Sequence, residues 1–229
     1  MNLTRDLALM ASARDLVYAE LRRRLMSGAF LPGERLREEH IASELAVSRT
    51  PVRSAIERLI EDGLVAREGR RGAVAMGWLD RDINEAFDLR LLLEPYAARA
   101  AASRASADQI DELEQINEHM LRAVQSGDPD RVAQVQHYNN RFHHALLAAA
   151  QSARVRSLVE NLLDMPIIIG SFYFYSRDDM LRSVEQHRQI IAALRARDPD
   201  FAETAMRFHL SATRRLFRDQ RKPAPEARA

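Results

Sequence analysis

Six of the seven histidines lie beyond residue 118. Three of them fall on apolar helical stripes. His143 follows Val132, Val135, Asn139 and Phe142 and precedes Leu146, His187 lies between Val184 and Ile191, and His209 lies with Ala205, Ala212 and Leu216. Residues at such spacing share one helix face, so the three imidazoles are expected to point into one core. Buried unpaired imidazoles are costly, and a divalent cation would satisfy all three together. At any single position a hydrogen-bonded core histidine is the alternative. Asn139, one turn before His143, shares its face. His119, His137 and His144 read as flank or surface positions, with Asn140 beside His144.

The second group of interest is arginine. Arg49 and Arg53 lie one turn apart in Ser48-Arg-Thr-Pro-Val-Arg, with Val52 and Ile56 turned the other way. Arginine makes bidentate contacts to guanine O6 and N7, and Thr50 suits phosphate or a thymine methyl. Arg70 and Arg71 lie between Gly69 and Gly72, which let a backbone approach a groove or a phosphate closely. Solvated surface charge is the alternative for all four arginines. Bulk charge does not decide, because 34 Lys plus Arg stand against 33 Asp plus Glu, a net of +1.

These side chains need elements to hold them. At 229 residues two domains are favoured. Six of the eight glycines occur by residue 77, so the first part is expected to be turn-rich and the remainder built of long helices. Residues 1–77 read as a helix from about Ser12 to Ser27, a turn at Leu31-Pro32-Gly33, and a short helix carrying Ile41 and Leu45. A third helix begins at the N-cap Ser48 and ends at Asp62-Gly63; Leu64–Arg67 and Ala73–Met76 then form a hairpin. That order describes a winged helix-turn-helix, whose second motif helix enters the major groove. Residues 80–222 read as six helices, at about 80–104, 106–126, 129–150, 152–175, 177–197 and 199–221, with Pro166 kinking the fourth. Short connections imply an antiparallel bundle. The expected fold class is therefore mostly α, and 223–229 reads as a disordered tail. Absence of cysteine excludes disulfides and thiolate chemistry. The charged N-terminal stretch forms no signal core, and the apolar run Met165–Tyr175 is too short to span a bilayer, so a cytoplasmic protein without a membrane partner is expected.

The first part resembles the DNA-binding domain of GntR-family transcriptional regulators, over roughly residues 12–76. The match runs through Leu31-Pro-Gly-Glu-Arg-Leu, Leu45-Ala-Val-Ser-Arg-Thr-Pro-Val-Arg-Ser-Ala-Ile, Leu59-Ile-Glu-Asp-Gly-Leu-Val and Arg71-Gly-Ala-Val. The resemblance implies that Arg49, Thr50 and Arg53, entered through Ser48, contact operator DNA, assisted by a wing at Arg70, Arg71 and Gly72. One position departs: many relatives carry arginine where this chain has Glu39, a side chain that repels phosphate but accepts from cytosine N4.

The second part resembles the FCD effector domain of the FadR-type branch, in its six-helix VanR-like subgroup. The pattern is Asn139-x-x-Phe-His143, Glu185-Gln-His187-x-x-Ile-x-x-Ala-Leu and Arg207-Phe-His209-Leu. Carried over, the ligands of a divalent metal, zinc or nickel, are Asn139, His143, His187 and His209, with asparagine standing where the family pattern has aspartate. A small carboxylate effector would complete the coordination. Arg90 offers a fork for that carboxylate, although pairing with Glu94 is the structural reading of this helix turn. Arg141 is a weaker candidate, and Tyr173 or Tyr175 could reach a ligand. The expected protein is a ligand-responsive regulator, a repressor by the family's commoner arrangement, acting as a homodimer on a palindromic operator. A metal-sensing regulator without an organic effector is one alternative. A three-histidine metal hydrolase is another, although it lacks a placed base and leaves Val47-Ser-Arg-Thr-Pro-Val-Arg unexplained.

Overall fold

The computed structural model describes residues 3–27, 29–69, 72–76, 80–128, 130–165 and 175–220. They divide into two units, one ending at Asp80 and the other spanning Arg81–Gln220. Among the described residues no helix is long and apolar enough to cross a membrane.

The first unit contains α1 (Leu3–Met26), α2 (Glu38–Glu44), α3 (Arg49–Glu61), β1 (Val65–Glu68) and β2 (Gly72–Ala75). α1 begins well before Ser12, because Leu3 to Ala11 contains no glycine or proline to stop it. The helix α1 packs against α3, with Val17, Leu21 and Leu25 buried on the one and Val52, Ile56 and Leu59 on the other. The α2–α3 turn passes through Ala46 in the left-handed region (φ 52°). Ser48 occupies the N-cap with extended backbone, but its hydroxyl makes no capping bond, and Pro51 is buried in the first turn. Asp62 closes α3, followed by Gly63 at φ 70°.

β1 and β2 pair antiparallel from Val65 opposite Ala75 to Glu68 opposite Gly72. Residues 33–36 run along β2, with Leu36 N donating to Ala73 O at 2.8 Å and Ala75 N to Glu34 O at 2.8 Å. Gly72 has a packing reason of its own, since a Cβ there would lie 2.5 Å from Glu68 O. Arg70 and Arg71 lie outside the described residues.

The second unit contains α4 (Asp80–Arg104), α5 (Ala107–Gln125), α6 (Arg131–Ala149), α7 (Ala153–Leu163), α8 (Arg177–Arg195) and α9 (Pro199–Gln220). α5 and α8 start with capping boxes, Ser106 with Gln109 and Ser176 with Asp179. α7 ends at Leu163 instead of running on toward 175. Met165 precedes Pro166, and a residue before proline is pushed out of the helical region. The expected kink at Pro166, Tyr173 and the tail 223–229 all lie outside the described residues.

The core joins the alanine-rich end of α4 (Ala97, Ala98, Ala101, Ala102) to Leu113, Phe142, Leu146, Ile190, Leu194 and Leu210. Small side chains let neighbouring helices approach α4 closely. Pro95 sits inside α4 and has no N–H for Leu91 O; Arg207 from α9 donates to that carbonyl instead, at 3.2 Å. Arg104 likewise reaches Ala150 O at 3.0 Å, and Arg197 reaches Ala102 O and Ala105 O at 3.2 and 2.7 Å. These three arginines thus close carbonyls at helix ends and at the proline break.

Candidate functional site

The helical unit brings His143 from α6, His187 from α8 and His209 from α9 together, with ligand atoms all within 4.8 Å of one another. All three are buried. His187 lies flat against Phe142, with ring centroids 3.8 Å apart and planes 7° apart.

Each ring is oriented through Nδ1. His143 Nδ1 meets Glu94 Oε2 at 2.5 Å, and Arg90 Nε donates to Glu94 Oε1 at 2.5 Å. Burial alone would raise the Glu94 pKa, but the Arg90 guanidinium and His143 reverse that and hold it at about 2. An ionised Glu94 can only accept, so His143 Nδ1 carries its proton. His187 Nδ1 meets Asn117 Oδ1 at 3.2 Å, and the orientation of that amide follows from its Nδ2 donating to Val184 O at 3.1 Å. His209 Nδ1 meets Gln186 Oε1 at 3.0 Å. With all three Nδ1 atoms donating, the Nε2 lone pairs turn toward one another.

That convergence is what a cation site requires. His143 Nε2 and His209 Nε2 are 3.3 Å apart. Two nitrogens each about 2.05 Å from zinc at the tetrahedral angle lie roughly 3.3 Å apart. His187 Nε2 and Asn139 Oδ1 are buried with no hydrogen-bond partner. An orphaned Nε2 beside two crowded ones fits a divalent cation, Asn139 lies one helical turn before His143 on α6, and the Nδ1 acceptors are the outer partners that metal-bound histidines usually have. Glu94, Asn117 and Gln186 in this role were not foreseen from spacing. The available signal was a polar residue, Asn117, on the buried stripe of α5.

Burial pushes the pKa of His187 and of His209 well below 6.5, with neighbouring histidines adding to the effect. Below pH 6.5 the unfolded rings bind protons that the folded rings refuse, so stability must fall as pH falls. The expected slope is about 1.4 kcal/mol per pH unit for each such histidine. Calorimetry of the metal-free protein between pH 8 and 5 checks this, and a flat profile contradicts it.

The other expected ligand residues separate. Arg90 is buried beside the cluster but committed to Glu94. Tyr175 bonds Thr213, and burial raises its pKa to about 12. Arg141 does not join the cluster. It is exposed and lines a different groove of about 510 Å³ with Glu112, His137, Asn140 and His144.

In the first unit, Arg49 and Arg53 are exposed on α3, and each is held by a carboxylate of α2. Arg53 Nη2 meets Glu38 Oε2 at 3.0 Å; Arg49 meets Glu38 Oε2 at 3.3 Å and Glu39 Oε1 at 2.7 Å. Arg53 above all, with Arg49, holds the Glu38 carboxyl below its usual range.

Residues 13–74 match the family described as bacterial regulatory proteins, gntR family, and residues 85–212 match the FCD domain. The chain is similar to the HTH-type transcriptional repressor RspR of Escherichia coli (strain K12), with 32% identity over 198 residues covering 85% of this chain and 84% of the relative. It is also similar to the gluconate operon transcriptional repressor of Bacillus subtilis (strain 168), 29% identical over 196 residues, 82% of this chain and 78% of the relative. Among solved structures, E. coli McbR/YncC shares the fold with TM-score 0.58 at 21% identity, covering 91% of this chain and 98% of that one. The two relatives are named as transcriptional repressors, and the hydrolase alternative gives way to them. The chain belongs to the GntR family of bacterial regulatory proteins, with an FCD domain behind its helix-turn-helix, and is a transcriptional regulator and not an enzyme.

Proposed function

We propose that the protein is a cytoplasmic repressor whose hold on operator DNA is changed by a small organic acid bound beside a divalent cation, zinc or nickel, in the helical domain. The observation that carries this reading is the inward-facing set of three Nε2 atoms with the orphaned Asn139 Oδ1. Asn139, His143, His187 and His209 hold the cation, which supplies Lewis acidity toward an anionic oxygen. Three neutral imidazoles and an amide bring it no negative charge. Glu94 is offset by Arg90. A divalent charge left uncompensated in a buried site is costly, so a carboxylate in the open coordination position is favoured over metal alone. Gluconate, for which one relative's operon is named, is an acid of this class.

On the DNA side, Ser48, Arg49, Thr50 and Arg53 approach the major groove, and Arg70, Arg71 and Gly72 form the wing. A homodimer places two such faces on a palindromic operator. Supporting a dimer, Leu92 and Tyr96 on α4 and Phe208 on α9 are exposed, on helices tied by Arg99 to Asp200 and by Arg214 to Asp88 at 2.6 Å. A second copy would cover these exposed apolar side chains.

The test is fluorescence polarisation of the full chain on duplex from upstream of its own gene. A panel of mono- and dicarboxylates and sugar acids is added with and without chelator. An acid that shifts DNA affinity five- to 150-fold, the usual allosteric range, and loses its effect with chelator is the expected result. Metal-dependent but acid-independent binding would instead establish a metal sensor.

A further inference from the structure

The two arginines placed to read DNA are not free side chains. Glu38 lies beneath them, its side chain 22% exposed, and its oxygens serve Arg53 and Arg49 together. Glu39 is different: its side chain is 77% exposed, and it meets Arg49 Nη1 through Oε1. A carboxylate on a DNA-facing surface repels phosphate, and the domain has little positive charge to offset it, with 13 basic against 11 acidic residues through residue 79. Such a residue is unhelpful to sequence-independent binding. It is useful only where its acceptors meet a donor, and in the major groove the C·G pair offers one at cytosine N4.

We propose that Glu39 is a specificity-determining residue: tied to Arg49, it accepts from a cytosine N4 amino group while Arg49 reads a guanine, and its charge suppresses binding led by phosphate. The pair acts as one reading unit. Exposed ion pairs are individually weak, so Glu39 steers Arg49 away from the nearest phosphate without locking it. Glu38 fixes the base of the guanidinium pair from below, and Glu39 faces outward. This inference rests on α3 being the DNA-reading helix.

The experiment selects binding sequences from a random duplex pool with the full chain, then compares the selected duplex with its scrambled counterpart. Glu39→Ala is expected to bind scrambled duplex several-fold more tightly and to lose preference at one position. The ratio of selected to scrambled affinity should fall roughly fivefold or more, the scale of one lost base contact. Glu39→Gln should move the preference at that position from cytosine toward adenine, which glutamine reads through N6 and N7. If both variants select the wild-type sequence with an unchanged ratio, the inference is overturned. Arg49→Ala separates the two levels: loss of selection with Arg49→Ala but not with the Glu39 variants leaves α3 as the reader, whereas unchanged selection with Arg49→Ala removes the reading of α3 itself.

Discussion

Replacing Glu94 by alanine is expected to destabilise the helical domain by about 3–5 kcal/mol, the range for breaking a buried ion pair from one side. Arg90 and Glu94 have side chains 4% and 0% exposed, and Glu94 also takes His143 Nδ1. Alanine strands a buried guanidinium and an imidazole N–H together. The double variant Arg90→Met/Glu94→Leu removes both charges at similar volume and should recover most of that loss, because the pair's net worth is far smaller than the penalty of orphaning one partner. His143 remains without its acceptor in both proteins. Cation affinity is therefore expected to stay reduced 10- to 100-fold in the double variant, as for other lost outer partners. Calorimetry and metal competition read the two quantities separately. The pair's pH behaviour has a definite sign. With its carboxyl lowered from 4.5 to about 2, Glu94 gives its full stabilisation above pH 4.5 and loses it as pH falls toward 2. A Glu94→Ala loss under 1 kcal/mol would show that water, not Glu94, satisfies Arg90.

What spacing could reveal was what local chemistry decides. Asp62-Gly63 ends α3 because a glycine takes φ 70° there without strain, and the period of α6, α8 and α9 turns His143, His187 and His209 inward. Asn117 and Gln186 stayed hidden because their partners arrive from other helices, at sequence distances of 70 and 23 residues. Such pairings leave no periodic trace. Arg141 shows how nearness in sequence misleads: it is two residues from both Asn139 and His143, and residues two apart on a helix do not share a face. The helix α7 is shorter than its apolar pattern implies, for a related reason. Its apolar run continued past Asp164, but backbone sterics before Pro166 act independently of hydrophobicity. Glu39 was legible as a departure from relatives, yet its tie to Arg49 depends on how α2 crosses α3, which ten residues of spacing do not specify.

Zinc or nickel is expected to stabilise the helical domain by about 2.7 kcal/mol when free metal is one hundred times its Kd, roughly a 10 °C rise in melting temperature for a domain of this size. Chelator should reverse it. His187→Ala removes one inward Nε2 and should abolish the rise. Asn139→Asp is the sharper variant, because its effect changes sign. Asn139 Oδ1 is buried and receives no hydrogen bond, so a carboxylate in its place has no donor to offset desolvation, and the metal-free protein should melt lower than wild type. With metal bound, the same carboxylate supplies the negative charge that three imidazoles and an amide lack. Affinity should rise about tenfold or more, adding about 1.4 kcal/mol or more to the metal-dependent gain. Asn139→Leu should lower the metal-dependent gain without the penalty of a buried charge. A packing role for Asn139 predicts that both substitutions shift the metal-free and metal-bound proteins equally. Equal shifts would mean that Asn139 does not touch the cation, whereas opposite signs with and without metal require Asn139 to face it.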